Sequence, residues 1–476
     1  MIKKLLVLWI VAVPFAGWSQ TRKLTLKECI DVALEKNLNI QRSQNNVDIF
    51  KTTLLQSKAS FLPTLNAAGS YNQNFGRALN PVTNLFVNRD NNTLNAQGFA
   101  SVTLINGLRL QYLLKQSQRD VLAADKDLAK AKNDVTLNVI TLYVNVILNR
   151  ELFENARFQL NSSEQQLDRI KKQVAAGSLP LANELNQEAQ VATNEVNLIN
   201  QENQLNLSLL QLKQALQFPA SEVIDIEIPE IPLEDLVLDQ NTEEIYAIAL
   251  ANMPEIASAR LKVESSDFAL RANRGSYYPR LSANASAQSN YASVSDVPRS
   301  ELDGTISTST TPLGQTIAGE QVFGYVPGTR QISDGYGRGD QLQDNLFRSV
   351  GIQLNVPIFN NLQTRSTVQR SLIQKKNAEI AVLESENTLR QTIETAYNDA
   401  LATSKTYSSS LKQVRAQEEA YRINKQRYEL GAINFVEYNV SENSLFQSKS
   451  DLVRAKYNFI FRKKVLDFYQ GKELGF

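Results

Sequence analysis

The sequence of 476 residues contains no histidine and only one cysteine, Cys29. Without histidine, the chain cannot carry a histidine-based acid–base pair or a histidine-containing catalytic triad. A single cysteine excludes a disulfide framework or a structural zinc site within one chain. We therefore expect no catalytic residue, no cofactor and no metal site, although carboxylate or lysine chemistry remains formally possible.

Excess charge, glycine and proline are also scarce. The 50 basic and 49 acidic residues nearly balance, so no electrostatic reason exists to expect a nucleic acid as partner. Only 19 glycines and 13 prolines occur, whereas Asn, Gln, Ser and Ala are frequent. Length alone suggests about three ordinary domains. The composition instead favours long, partly wet helices over compact cores.

The first residues, 1–19, are predicted to be a cleaved export signal. Lys3 and Lys4 precede an apolar run from Leu5 to Phe15, and small residues come before the expected cleavage near Gln20. The apolar run is too short to cross a bilayer core of ~30 Å as a helix. An uncleaved interfacial anchor is the alternative. No later stretch has the length of a membrane helix, so the mature chain is either soluble after export or crosses a membrane as strands.

The remainder of the chain contains an internal duplication. In two gap-free registers the following segments match: Ala33-Leu34 with Ala249-Leu250, Phe61-Leu62-Pro63 with Tyr277-Tyr278-Pro279, Ile105 to Leu108 with Phe359 to Leu362, and Gly177 with Gly431. We predict a first repeat over 20–217, an acidic linker over 218–240 and a second repeat over 241–476. The shift between the registers places an insertion between about 287 and 350 of the second repeat.

Each repeat is predicted to hold short helices, a strand hairpin and a long helical hairpin. The strand hairpins cover 64–106 and 280–358, and the helical hairpins cover 107–217 and 360–470. Two matched prolines, Pro63 and Pro279, mark the helix–strand junctions, because proline is tolerated where a strand begins. The loops within the strand hairpins, 76–96 and 292–346, are expected to face solvent without helical periodicity.

The predicted strands alternate between apolar and polar residues. Leu65, Ala67 and Tyr71 share one face, and Asn66 and Ser70 lie on the other. Such strands suit lipid on one side and water on the other. An ordinary half-exposed hairpin has the same pattern, so alternation alone does not separate the two interpretations.

The long helices carry a coiled-coil pattern. From Gly107 to Ala176 there is no proline and no internal glycine, and about 70 residues of helix extend ~105 Å. Ten of twelve heptad positions from Val135 to Val174 are apolar, whereas four of the matching twelve in the second repeat are polar. Each long helix stops at a glycine, Gly177 or Gly431, before a return helix.

These elements predict a mainly α fold with a small β part. Four strands cannot close a barrel, because the smallest membrane barrels need about eight. Three copies related by cyclic symmetry would supply twelve strands without a free edge. The same symmetry would close the long antiparallel helical hairpins into a trimeric α-barrel.

Four segments resemble TolC-type outer-membrane efflux proteins, the outer membrane factor family: Leu24 to Leu34, Ser60 to Leu65, Leu354 to Asn360 and Arg427 to Gly431. Details such as Gly76-Arg77 are similar to members from Bacteroidota. The resemblance implies a twelve-strand barrel in the outer membrane continued by a periplasmic α-barrel. It also implies a homotrimer that contacts outer-membrane lipid and docks to a periplasmic adaptor (membrane fusion protein) and an inner-membrane pump. The function implied is a passive exit duct of a tripartite efflux or type I secretion system.

The same resemblance places the periplasmic tip at the turns of the helical hairpins. It implies adaptor docking at Val174, Gly177, Leu179, Leu181, Tyr428, Gly431 and Ile433, and an aperture at Glu437, Val440 and Asn183. Glu437 matches a position in an acidic ring, whereas Val440 interrupts a second ring. Ile433 and Asn183 replace charged residues that lock the closed tip in some members. Alternatively, Glu437 is a solvated residue favourable to a helix start, and both glycines are purely structural.

Two other functions remain as alternatives. An exported structural coiled-coil rod or adhesin would explain the heptads and the export signal, but not strand hairpins at equivalent places in both repeats. An enzyme would need a carboxylate pair such as Glu418-Glu419 or Glu243-Glu244, and both pairs lie on predicted helix surfaces. Cargo and pump class stay open.

Overall fold

A computed structural model describes residues 22–79, 86–219, 221–229, 241–295, 299–332 and 336–472. The predicted export signal, 1–19, lies outside the described residues. The chain divides into two compact units. A helical unit contains the described residues up to Thr52 together with Gln118–Ser265 and the chain from Lys375 onward, and a strand unit contains Thr53–Ser117 and Ser266–Gln374.

The chain is mainly helical with a small β part, as predicted. The helices are α1 Leu26–Lys36, α2 Leu38–Ala59, α3 Arg109–Ala175, α4 Leu181–Ala215, α5 Thr242–Asn252, α6 Pro254–Arg274, α7 Arg338–Asp344, α8 Gln363–Glu429 and α9 Phe435–Tyr469. The strands are β1 Arg22–Leu24, β2 Thr64–Asn74, β3 Arg77–Leu79, β4 Phe86–Asn88, β5 Asn91–Ile105, β6 Ile224–Ile226, β7 Arg280–Ala292, β8 Arg299–Gln315, β9 Gln321–Ile332 and β10 Phe347–Asn355. None of the described helices combines the length and the apolar character that crossing a membrane requires.

The duplication is visible in the helix lengths. Helices α3 and α8 each have 67 residues, and the return helices α4 and α9 each have 35. None of the twelve heptad positions from Val135 to Val174 is exposed, and none of the matching twelve positions in the second repeat is exposed either. Val139 and Ile393, at matching positions of the two helices, are fully buried and lie in separate hydrophobic clusters. The heptad pattern therefore predicted the packed faces of both helices.

The segment predicted as a linker, 218–240, contains a strand, which the sequence analysis missed. Strand β6 pairs in parallel with β1, and Ile224 and Ile226 are buried. The hydroxyl of Tyr143 on α3 lies 3.2 Å from the carbonyl oxygen of Leu24 and 2.6 Å from that of Glu227. This small sheet is stabilised by contacts between parts of the chain that are far apart in sequence. The pattern of neighbouring residues therefore did not predict it.

Four strands of the strand unit form one antiparallel sheet in the order β10-β7-β5-β2. One transverse row of this sheet is apolar and consists of Leu65, Ala100, Ala285 and Val350. The adjacent row consists of Thr64, Ser101, Asn284 and Gly351, and Ser101 donates a hydrogen bond of 2.9 Å to Asn284. Because neighbouring rows face opposite sides of a sheet, these two rows show the predicted two-faced pattern across all four strands. Phe99 on the polar side and Arg348 on the apolar side are exceptions in other rows.

The segments predicted as solvent-facing loops, 76–96 and 292–346, contain strands and a short helix that the sequence analysis did not predict. Strands β3 and β4 pair within the first loop, and β5 already begins at Asn91. The second loop contains the β8–β9 hairpin and the short helix α7. The β8–β9 register shifts between Leu302 and Ile306 and again near Pro312. Such irregularities interrupt strict alternation, so the period of two that identifies a strand was obscured.

Both predicted junction prolines lie immediately before a strand, Pro63 before β2 and Pro279 before β7. Beside the second junction the backbone at Gly107 approaches Gly275 closely. Gly107 has a positive φ of 64°, and a Cβ there would lie 2.9 Å from the Cβ of Tyr278 and overlap the carbonyl oxygen of Gly275. Only glycine fits this position without displacement.

Gly107→Ala is therefore expected to destabilise the strand unit by roughly 3 kcal/mol or more, because left-handed backbone strain and overlap act together. Gly76→Ala in the same unit is the matched control. Gly76 also has a positive φ, 101°, but nothing lies within 4 Å of its added Cβ, so a loss of only ~1–2 kcal/mol is expected. Denaturant unfolding followed by circular dichroism measures both. Equal losses would contradict the close approach.

Candidate functional site at the helical tip

The two turns that connect the long helices have the same backbone motif. Gly177 has φ of +74° and Gly431 has φ of +71°. Each glycine amide bonds the carbonyl three residues earlier at 2.9 Å, and the following amide, of Ser178 or Ala432, bonds the carbonyl five residues earlier. This is the Schellman ending of a helix. Both glycines thus have a structural reason to be present.

Helix α9 begins with a reciprocal cap. The side chain of Asn434 accepts a 2.9 Å hydrogen bond from the amide of Glu437, and its Nδ2 donates to Oε1 of Glu437 at 3.0 Å. Glu437 and Val440, two of the predicted aperture residues, are both exposed. The negative charge of Glu437 lies in the first turn, where the helix dipole favours it.

A hydrophobic cluster joins the two turns. Its buried members are Ile170, Ile433, Phe435 and Tyr438, and Val174, Leu179, Tyr421 and Tyr428 pack against it. The rings of Tyr428 and Tyr438 stack with centroids 4.9 Å apart, and the ring of Tyr421 lies 5.9 Å from that of Tyr438. The turns of the two repeats are therefore joined by apolar packing, in which aliphatic side chains of the first repeat meet aromatic side chains of the second.

This cluster divides the predicted docking residues into two groups. Val174, Leu179, Tyr428 and Ile433 belong to it or pack on it. Ile433 is only 9% exposed, so a partner cannot reach it without repacking the tip. Leu181, which is 60% exposed, is freely accessible.

Asn183 and Ile433, the two predicted replacements of a charged lock, line one groove of about 370 Å³. The groove is also lined by charged residues, Arg169, Lys425 and Glu429. Asn183 itself is half-buried. The structure thus brings the two replaced positions together, and neither of them carries a charge.

A buried carboxylate, Glu442, was missed by the sequence analysis. It is 4% exposed and accepts hydrogen bonds from Ser162 at 3.1 Å and from the hydroxyls of Tyr421 and Tyr438 at 3.4 Å. Burial raises the pKa of Glu442, and the three hydroxyls and Lys425 partly offset that rise. Its one sequence signal is its spacing, four residues after Tyr438 and three before Leu445, which places it on the buried stripe of α9.

The carboxylate pairs considered for an enzyme are occupied by ordinary surface contacts. Glu418 pairs with Lys449 at 3.1 Å and Glu419 with Arg422 at 2.9 Å. Glu243 lies 3.8 Å from Arg390, and Glu244 takes part in the cap of α5. The solvated, ion-paired interpretation of these residues fits the geometry.

Comparison with known proteins agrees with this architecture. The family model described as outer membrane efflux protein matches residues 29–216 and 325–467. The chain is 23% identical over 440 residues to the solvent efflux pump outer membrane protein SrpC of Pseudomonas putida, covering 90% of this chain and 81% of the relative. It is 20% identical over 341 residues to the pyoverdine export outer membrane protein OpmQ of Pseudomonas aeruginosa, covering 70% and 60%.

Solved structures share the fold. The outer membrane protein VceC from Vibrio cholerae superposes with a TM-score of 0.73 at 14% identity, covering 94% of this chain and 96% of VceC. The CmeC outer membrane channel of Campylobacter jejuni superposes with a TM-score of 0.70 at 15% identity, covering 95% and 87%.

The fold is that of TolC-like outer membrane channels. The chain belongs to the outer membrane efflux protein family. The recognition made from sequence motifs is confirmed, and so is the predicted localisation, the outer membrane with a large periplasmic part. Family members and structural neighbours are channels rather than enzymes, which is consistent with an efflux exit duct.

The raised pKa of Glu442 predicts a pH-dependent effect of Glu442→Gln. The folded state binds this proton more tightly than the unfolded state, whose glutamate has a pKa of ~4.3. Stability is therefore lost as pH rises from that value through the folded pKa. Glutamine removes the buried charge, so we expect a higher melting temperature than wild type near neutral pH and no difference near pH 4. Scanning calorimetry at both pH values tests this.

Glu195→Gln is the matched control, because Glu195 is an exposed glutamate of the same helical unit. Its melting temperature should follow that of wild type at both pH values. A Glu442→Gln variant that melts below wild type at neutral pH would show that the three hydroxyls outweigh the desolvation of the carboxylate.

Proposed function

We propose that three copies of this chain form the outer-membrane exit duct of a tripartite efflux or type I secretion system. Transport through it is passive, from the periplasm to the exterior. The observation that best supports this proposal is the four-stranded sheet. An apolar row runs across all of its strands, and its outer strands are β2 and β10. An exported rod does not account for such a sheet.

The exposure of the sheet supports a membrane environment. Leu65 on β2 is 81% exposed and Val350 on β10 is 87% exposed, and they end the same apolar row. In water, a flat apolar face with open edges would aggregate. In a twelve-strand barrel made by three copies, lipid covers this face and each outer strand pairs with a neighbouring copy. The polar face then lines a water-filled lumen.

The helical unit supports the trimer independently. Helix α4 leaves large apolar side chains exposed along its length, namely Leu185, Val196, Ile199, Leu207 and Leu210. Such a stripe on one helix calls for a partner surface. Cyclic symmetry would bury it against the adjacent copy and close the helical hairpins into a hollow α-barrel.

Energy for transport comes from partners, because the proposed duct is passive. We assign these roles to a periplasmic adaptor (membrane fusion protein) docked at the tip and to an inner-membrane pump. The solvent efflux relative is named as the outer membrane protein of a pump, which supports this assignment. Exposed Leu181 is the accessible contact among the predicted docking residues, and Gly177 and Gly431 shape the turns that present it. The aperture is lined by Glu437, with Val440 and Asn183 nearby.

A charge on the apolar face should prevent assembly. Val350→Arg is expected to cost ~2–4 kcal/mol where the strand crosses lipid, and to reduce detergent-extracted trimers severalfold. Gln353→Arg on the same strand is the matched control, because its row faces the other side of the sheet. Membrane fractionation with native electrophoresis measures both. Release of wild type as a monomer by salt or urea would reject the barrel.

Glu437 should set the ionic selectivity of the duct. Three carboxylates at one aperture attract cations. Glu437→Gln is therefore expected to reduce the cation-selective reversal potential across a planar bilayer by about half. Glu195→Gln should leave it unchanged. An unaltered reversal potential in Glu437→Gln would assign this residue to helix capping alone.

A further inference from the structure

The four described strands of the sheet β10-β7-β5-β2 carry only two charged side chains, Arg280 and Arg348. Arg280 shares its side of the sheet with Ser282 and Asn284, so it lies on the polar face. Arg348 shares its side with Val350, so it lies on the apolar face. Arg348 is therefore the one ionised group of these strands on the face that the proposed duct turns toward lipid.

The charge of Arg348 is not neutralised within the described part of the chain. Arg348 is exposed, and it forms no ion pair among the described residues. The nearest carboxylates along the chain are Asp340 and Asp344 of α7, and Asp344 accepts a 3.0 Å hydrogen bond from the hydroxyl of Tyr336. Strand β2, which would pair with β10 of the adjacent copy, has no charged residue. A guanidinium stays ionised, so in lipid it requires water or an anion.

Arg348 lies on the exterior side of the apolar row that contains Val350. Helix α2 leads into β2 at Thr64, and β10 leads toward α8 after Asn355, so this end of the sheet joins the helices. Arg348 is the second residue of β10, near the opposite end of that strand. Since the proposed duct keeps its helices in the periplasm, Arg348 points us to the part of the sheet that is nearer the cell exterior.

Small side chains separate Arg348 from the outer end of the sheet. Its own row continues with Ala287, and the next row toward the exterior contains Ala96 and Ser289. These strands place no bulky side chain above the arginine, so it has room to extend toward the membrane surface, as long cationic side chains do. Val350 lies one row deeper, so an arginine introduced there would stay in hydrocarbon.

A second guanidinium lies farther out on the same face. The row beyond Ser289 contains Tyr291, and the guanidinium carbon of exposed Arg338, in α7, lies 5.2 Å from the centroid of that ring. The hydroxyl of Ser289 donates a 2.6 Å hydrogen bond to the carbonyl oxygen of Leu342, which holds α7 beside β7. Tyr291 lies two rows beyond Arg348, roughly 13 Å along the strand. Two extended arginine side chains therefore reach one anionic group between them.

We propose that Arg348 and Arg338 bind a phosphate of an outer-leaflet glycolipid of the lipid A type, one of whose acyl chains lies on the small residues Ala96 and Ala287. The proposal rests on the proposed outer-membrane duct. A phosphate accepts paired hydrogen bonds from a guanidinium, and the apolar face below it suits hydrocarbon. A soluble anion would match the arginines but not that face. The proposed trimer carries three such sites.

Removal of one charge tests the site. Arg348→Gln replaces the guanidinium by a neutral amide, and Arg338→Gln does the same for the second arginine. Arg280→Gln is the matched control, because it makes the same change on the polar face of the same sheet. Arg348→Lys keeps the charge without the paired donors and should retain part of the binding. Each full-length variant is purified as a trimer in detergent, and bound lipid is counted by native mass spectrometry.

Three probes separate the lipid from a free anion: lipid A with its phosphates, the same lipid after dephosphorylation, and inorganic phosphate. We expect wild type to bind up to three phosphorylated lipids per trimer. Arg348→Gln should weaken this binding about tenfold and Arg338→Gln severalfold, whereas Arg280→Gln should match wild type. The dephosphorylated lipid should bind wild type as weakly as phosphorylated lipid binds Arg348→Gln. Inorganic phosphate at millimolar concentration should not displace the lipid.

Equal binding of phosphorylated lipid to wild type and Arg348→Gln would overturn the site. Displacement by inorganic phosphate would identify a soluble anion as the ligand and overturn the lipid. If Arg348→Gln fails to assemble, Arg338→Gln and Arg348→Lys decide in its place. Wild-type trimers that conduct ions without preferring phosphorylated lipid would overturn the lipid site and leave the duct standing. Release of wild type from membranes as a monomer by salt or urea would overturn the duct, and the lipid site with it.

Discussion

A sheet of four strands cannot cover its own apolar face or its own edges, and this constraint governs the rest of the molecule. Its outer strands, β2 and β10, carry Leu65 and Val350 almost fully exposed at the two ends of one apolar row. In the proposed barrel, lipid covers the face and pairing with other copies satisfies the edges. The same proposed repetition would give α4 a surface on which to bury its exposed apolar side chains. In the proposed trimer, one cyclic symmetry thus serves both the sheet and the helices.

Duplication supplies that assembly with matched parts but different chemistry. The two long helices have equal lengths, as do the two return helices. Both turns have the same Schellman motif, but the side chains around them differ. The first turn contributes Val174 and Leu179 to the tip cluster, while the second contributes Phe435 and stacked tyrosines. The aromatic side chains of the second turn pack on one another and on the aliphatic side chains of the first, so the two turns contribute different residue types to one cluster.

Periodic features were readable from the sequence because they depend on local spacing. Heptads identified faces such as those of Val139 and Ile393, and strand alternation identified the row that begins at Leu65. Glycine at a helix end predicted the turns at Gly177 and Gly431. Features that depend on distant contacts were not readable. Strand β6 forms by pairing with β1, which is far away in the sequence. Register shifts interrupt the apolar–polar alternation of the β8–β9 hairpin. Glu442 is surrounded by side chains from three different helices.

The contacts between the two hairpins near the turns are of two chemical kinds, apolar and polar. A duct that is held closed everywhere by apolar packing would pay a large hydrophobic penalty on opening, because every separated surface would meet water. Here apolar packing joins the two hairpins at both ends of α9: Ile170 packs with Phe435 and Tyr438 at the turns, and Tyr457 and Ile460 pack on the first hairpin at the far end. Between these two apolar contacts, the hairpins meet through amides, hydroxyls, one carboxylate and the ring contact of Phe158 with Phe446. Water can take over those bonds, so this boundary is where rearrangement costs least.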